Sequence, residues 1–125
     1  MRSDVTALIL GGIGFLIFGV AMSFAPQATM AAIGWQIPDG VATTEIRAFY
    51  GGLELALGGL LIAAARTPAY RRAGLLLGMT SYGLVGITRA VGMLIDGTSG
   101  GFLWGALATE LGLALLFAYA WHRTR

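Results

Sequence analysis

The 125-residue chain has no cysteine, no lysine and a single histidine. The first absence excludes disulfides and thiolate metal sites. The second excludes the phosphate-cradling loop that ends in lysine. With His122 alone near the C-terminus there is no bis-histidine haem and no Ser-His-Asp or Cys-His set. A bundle-type di-metal carboxylate site needs more carboxylates and histidines than Glu54 and Glu110 supply. No catalytic constellation is left, so the expectation is a non-enzyme without cofactor or metal. Charge is scarce too: 11% of residues are charged, against roughly 25% in soluble domains. A water-soluble chain this short exposes much of its area and needs more polar surface than that. All eight basic residues are arginine and the net charge is +2. They form no basic stripe, which argues against a nucleic-acid partner.

What the chain has is apolar length. Hydrophobic residues make up 57% of it, and lipid accepts an apolar exterior that water does not. A helix needs about 20 apolar residues to cross ~30 Å of hydrocarbon. Four stretches qualify: Val5 to Phe24, Thr44 to Ala65, Ala73 to Ile95 and Phe102 to Trp121. No face of these segments is polar enough for a soluble bundle. The expected fold is therefore all-α, one integral membrane four-helix bundle. The first apolar run is longer than the roughly 7–15 residues of a signal-peptide core, and Asp4 interrupts its basic start, so the run is expected to stay with the chain.

Arginine placement predicts orientation. Arg2 precedes the first span, Arg66, Arg71 and Arg72 separate the second and third, and Arg123 and Arg125 follow the fourth. The other two connections carry no arginine. Both termini and the middle loop are thus expected in the cytoplasm. Trp35 and Trp104 would mark the outer interface, and Tyr70, Tyr119 and Trp121 the inner one. Thr67-Pro68 breaks the chain between the second and third spans, and the Asp96–Gly101 segment reads as a hairpin turn. In the first outer loop, Pro26 starts a short helix that Gly34 ends; Met30, Ile33 and Trp35 would rest it on the leaflet surface.

Small residues recur four apart in Ala48, Gly52 and Ala56, in Gly74 and Gly78, and in Gly101 and Gly105. Such rows let helix backbones approach closely, within one bundle or between copies in a homo-oligomer. Glu54-Leu55-Ala56-Leu57 is echoed by Glu110-Leu111-Gly112-Leu113. Both lie in spans of the same direction, as two parallel helical hairpins would place them.

Four charges fall inside the spans: Arg47, Glu54, Arg89 and Glu110. Each costs about 2.5–3.5 kcal/mol at the bilayer centre, or ~10–14 kcal/mol for four unpaired. They must face inward, and some must pair. Counting from the loops puts Glu54 ~15 Å, Arg89 ~10 Å and Glu110 ~12 Å deep, with Arg47 ~5 Å below the edge. Arg47 and Glu54 are seven apart and share an α-helical face with Tyr50; Tyr82 shares a face with Arg89. The six residues are expected to converge in the outer half of the bundle. One reading is an internal ion-pair cluster that specifies helix pairing. The other is a polar site for an ion, a proton or a headgroup, the default for intramembrane ionisable residues.

The run Arg47-Ala48-Phe49-Tyr50-Gly51-Gly52-Leu53-Glu54-Leu55-Ala56-Leu57-Gly58 resembles the signature of the bacterial family catalogued as domain of unknown function 4345. Arg89 followed by Gly92, Asp96-Gly97, Glu110, and a first span with Gly12, Gly19 and Pro26 are similar as well. The resemblance implies a four-span protein of the bacterial cytoplasmic (inner) membrane, and it implies no activity. Three functions remain open. The first is a structural or accessory protein, within a homo-oligomer or a larger membrane complex. The second is a small proton-coupled transporter, with Glu54 or Glu110 exchanging protons. The third is a lipid- or quinone-binding module using Tyr50, Tyr82 and the arginines. Small multidrug transporters of similar size carry their key carboxylate in the first span, which is uncharged here between Val5 and Phe24.

Overall fold

The computed structural model describes residues 2–124; Arg125, one of the arginines behind the expected orientation, lies outside them. Five helices follow one another: α1 (Ser3–Phe24), α2 (Pro26–Ala32), α3 (Val41–Arg66), α4 (Pro68–Asp96) and α5 (Gly101–Arg123). There is no strand among the described residues. All but α2 are long and apolar enough to cross a bilayer, so the chain is a multi-pass membrane protein. The helices run past the apolar stretches at several ends, because backbone hydrogen bonding does not stop at the first charged residue.

The turns follow from local chemistry. Pro26 opens α2, where its missing N–H costs nothing. Gly97 adopts the left-handed conformation (φ +61°) that closes α4, and the Gly97 and Thr98 N–H groups both donate to the Met93 carbonyl. Met30 of α2 is buried against the bundle instead of facing the leaflet. The short helix packs on α1 and on the start of α3, because Met30 gains more cover there than on an open surface. Trp35 is exposed.

Two helical hairpins make the bundle. α1 packs against α3, α4 packs against α5, and α1 also touches both helices of the second pair. The core lies toward the end that carries both termini and the Pro68 turn, here the arginine end. Ala7, Leu8, Leu61, Ala64, Leu75, Phe117 and Ala120 are buried there. Glycines permit the close crossings. On the α1–α3 face, Gly12 and Gly19 meet Gly58 and Gly51, with backbone atoms so near that a Cβ on Gly19 would lie 2.9 Å from the Leu55 nitrogen. Gly74 faces Leu8 and Ala64, and Gly78 seats the Phe117 ring.

The other small-residue rows do not serve packing within the bundle. Ala48, Gly52 and Ala56 are exposed, and Gly101 and Gly105 have no atom within 4 Å of an added Cβ. For the row in α3 the reason is visible: Arg47–Gly52 forms a π-helical turn. Such a turn holds one more residue than an α-turn, so positions before and after it are rotated by roughly 100° from their α-helical register. Gly51, not Gly52, therefore faces α1.

Candidate functional site

The first part of α3, through Gly52, packs chiefly on α1, while its remainder packs on α1 and also contacts α4. The two hairpins thus meet at the arginine end and part toward the loop end. Between them is a cavity of about 700 Å³. One hairpin contributes Phe15, Phe18, Tyr50 and Glu54; the other contributes Tyr82, Val85, Thr88, Arg89, Phe102, Thr109 and Glu110. A second hollow of about 480 Å³ adjoins it between α3 and α4, and Phe15, Tyr50, Glu54 and Val85 line both. Glu54 stands at their boundary.

The charges divide into a closed pair and an open group. Arg89 donates to Glu110 twice, Nε to Oε2 at 2.8 Å and Nη2 to Oε1 at 2.5 Å. This fork-on-carboxylate geometry is the strongest form of such a pair, and it fastens α4 to α5. Glu54 has no hydrogen-bond or ion-pair partner among the described residues. Tyr82 is buried between Phe15 (ring centroids 4.3 Å) and Phe117 (6.0 Å), and its hydroxyl donates to the Gly11 carbonyl at 2.6 Å. Its one donor is therefore spent on α1. Tyr50 is edge-on to Phe18 with centroids 6.5 Å apart.

Residues 5–121 match the family described as Domain of unknown function (DUF4345). The chain belongs to that family. No curated protein and no solved structure matches it.

Of the six residues singled out in the sequence of this DUF4345 chain, five line the cavity: Tyr50, Glu54, Tyr82, Arg89 and Glu110. Arg47 does not. Its Nη1 donates to the Ser23 carbonyl at 2.7 Å, at the end of α1. The π-turn is the cause: an α-helix would place Arg47 and Glu54 on one face, and the inserted residue swings them apart. Glu54 and Glu110, the two ends of the sequence echo, face one cavity from opposite hairpins.

A second charged group escaped the sequence reading. Asp4 is buried at the arginine end, 3.7 Å from Arg71 and 3.6 Å from Arg2. Arg71 also leans on the Ala65 carbonyl, and Arg72 lies over Trp121 at 4.3 Å. An acid in the first turn of a helix, facing arginines that follow a Pro turn, was the available signal. The aromatic walls Phe15, Phe18 and Phe102 carried none, since apolar residues in a span look alike to hydropathy.

Proposed function

We propose that this membrane protein binds a small amphipathic molecule in the cleft between its hairpins, with the polar part of that molecule at Glu54. The supporting observation is the unpartnered Glu54 carboxylate at the wall of a roughly 700 Å³ cavity lined mainly by apolar and aromatic side chains. Cavities of ~300–1,000 Å³ with few polar groups are the usual form of a small-molecule site. A lone carboxylate held in lipid costs about 2.5–3.5 kcal/mol, and an occupant that meets it recovers part of that. Arg89 and Glu110 shape the wall and neutralise each other, so the structural role falls to them and the binding role to Glu54. In this reading the arginine end faces the cytoplasm and the cleft opens toward the outer leaflet of a bacterial inner membrane.

The test is a retained small molecule. Protein purified in mild detergent is examined by native mass spectrometry and solvent extraction, beside a Gly105→Phe variant. Gly105 lines the cavity and has free space around it, so the ring fills the site without disturbing a helix contact. A molecule carried by the natural chain and missing from the variant is expected. Equal retention in both, with the same fold by circular dichroism, contradicts the reading.

A second reading has its own observation. Ala48, Gly52 and Ala56 face away from the bundle, as a docking row for another transmembrane helix would. This supports an accessory role in a larger membrane complex. Co-purification at native expression tests it; a monomer without partners in mild detergent removes it.

A further inference from the structure

The geometry points to a lipophilic cation as the class of molecule that the cleft takes; this rests on the binding reading above and adds the sign of the charge. Three observations agree. First, the charge in the cleft does not balance. Arg89 is met by Glu110 through two hydrogen bonds, which leaves Glu54 as the one acid lining the cleft without a basic partner among the described residues. The hydroxyls of Tyr50 and Thr88, also in the wall, serve either sign and decide nothing. The nearest other arginine in sequence, Arg47, is turned to the Ser23 carbonyl.

Second, the walls suit a cation. Phe15, Phe18, Tyr50 and Phe102 line the same cavity as Glu54, whereas both faces of Tyr82 are covered by Phe15 and Phe117. The negative face of an aromatic ring attracts a cation by about 0.5–2 kcal/mol, more as water is removed. An anion meets the same rings unfavourably. The body of the guest, not its charge, supplies the apolar contact with Val85 and its neighbours.

Third, the approach is acidic. Glu45 lines the adjoining hollow. With Asp39 and Asp96, it places three acids against Arg47 at the loop end of the helices, a local balance of 1 − 3 = −2. The opposite end holds Arg2, Arg66, Arg71, Arg72 and Arg123 against Asp4. A low-dielectric cleft beneath a surface of one sign concentrates counter-ions of the other. Cations are drawn to the end where the hairpins part, and repelled from the end where they close.

The experiment uses two ions of matched shape and opposite sign, tetraphenylphosphonium and tetraphenylborate. Their binding to the purified full chain in dodecyl maltoside is measured by equilibrium dialysis, with protein-free micelles subtracted. Saturable binding of the phosphonium is expected, about tenfold or more tighter than that of the borate. Glu54→Gln is expected to abolish the difference, and Gly105→Phe to reduce binding of both ions. Because Glu54→Gln replaces an acid that has no partner among the described residues, its fold is expected to be retained, and its thermal unfolding is recorded beside it. Equal saturable binding of both ions to the natural chain, or an unchanged preference in Glu54→Gln, overturns the cation inference and leaves the cleft reading standing. No saturable binding of either ion overturns the inference, and retention of a neutral molecule in the mass-spectrometric test then decides the fate of the cleft reading separately.

Discussion

Arg89 and Glu110 face each other side-on, Nε to Oε2 at 2.8 Å and Nη2 to Oε1 at 2.5 Å, across the two helices of one hairpin. Each is on its own an ion that lipid rejects; together they are neutral. Removing one partner of a shielded pair leaves the other charge stranded, at about 3 kcal/mol. Arg89→Leu is therefore expected to lower the unfolding midpoint of the detergent-solubilised chain sharply. Arg89→Leu with Glu110→Leu is expected to recover at least ~1 kcal/mol of that loss. A double variant that behaves as the sum of the singles removes the pair from the account.

Arg47 gives a smaller effect of a different kind. Its bond to the Ser23 carbonyl ties the last turn of α1 to the π-turn of α3. Polar contacts in membrane bundles average well under 2 kcal/mol, so Arg47→Leu is expected to cost about 1 kcal/mol in thermal unfolding. Its coupling to Glu54→Gln is expected to be near zero, because the two side chains point to different places. A coupling as large as that of Arg89 with Glu110 would mean that Arg47 reaches the cleft after all.

Neighbouring glycines in α3 are expected to respond in opposite ways. A Cβ on Gly58 would stand 2.7 Å from Leu16 Cγ and 2.8 Å from the Gly12 carbonyl oxygen, and that backbone atom has nowhere to go. A Cβ on Gly59 would meet nothing within 4 Å. Gly58→Ala is expected to destabilise by about 1–3 kcal/mol through overpacking. Gly59→Ala is expected to be neutral or to stabilise by up to ~1 kcal/mol, the helix-propensity difference. Thermal unfolding of the two variants in one detergent checks the contrast; equal effects would mean that α1 and α3 do not cross at Gly12 and Gly58.

Much of the fold was legible in the sequence because hydropathy and loop chemistry are local signals. Four apolar runs, Thr67-Pro68 and Asp96-Gly97 are enough to order the helices and the turns between them. Counting from the ends of the apolar runs put Glu54, Arg89 and Glu110 at similar depths, and all three line the cleft. What local signals do not carry is rotation about a helix axis. The seven-residue spacing of Arg47 and Glu54 assumes 3.6 residues per turn, and the Arg47–Gly52 π-turn breaks that assumption without leaving a trace in hydropathy. The same turn explains why the row with Gly52 faces outward while Gly51 packs on Ser23. Small residues four apart mark a face capable of close approach; they do not say which neighbour approaches. Asp4 was hidden for another reason: its partner Arg71 lies 67 positions away (71 − 4), and only the closed bundle brings them together.

The two carboxyl groups of the cleft divide: Glu110 is closed by Arg89 and Glu54 is open. Dicyclohexylcarbodiimide, an apolar reagent that enters lipid and couples to accessible carboxyl groups, reads that division directly. Membranes holding the natural chain are treated, and the adducts are located by peptide mass spectrometry. Modification is expected at Glu54, none at Glu110, and a new adduct at Glu110 once Arg89 is replaced by leucine. Modification of Glu110 in the natural chain with Glu54 untouched would overturn the division.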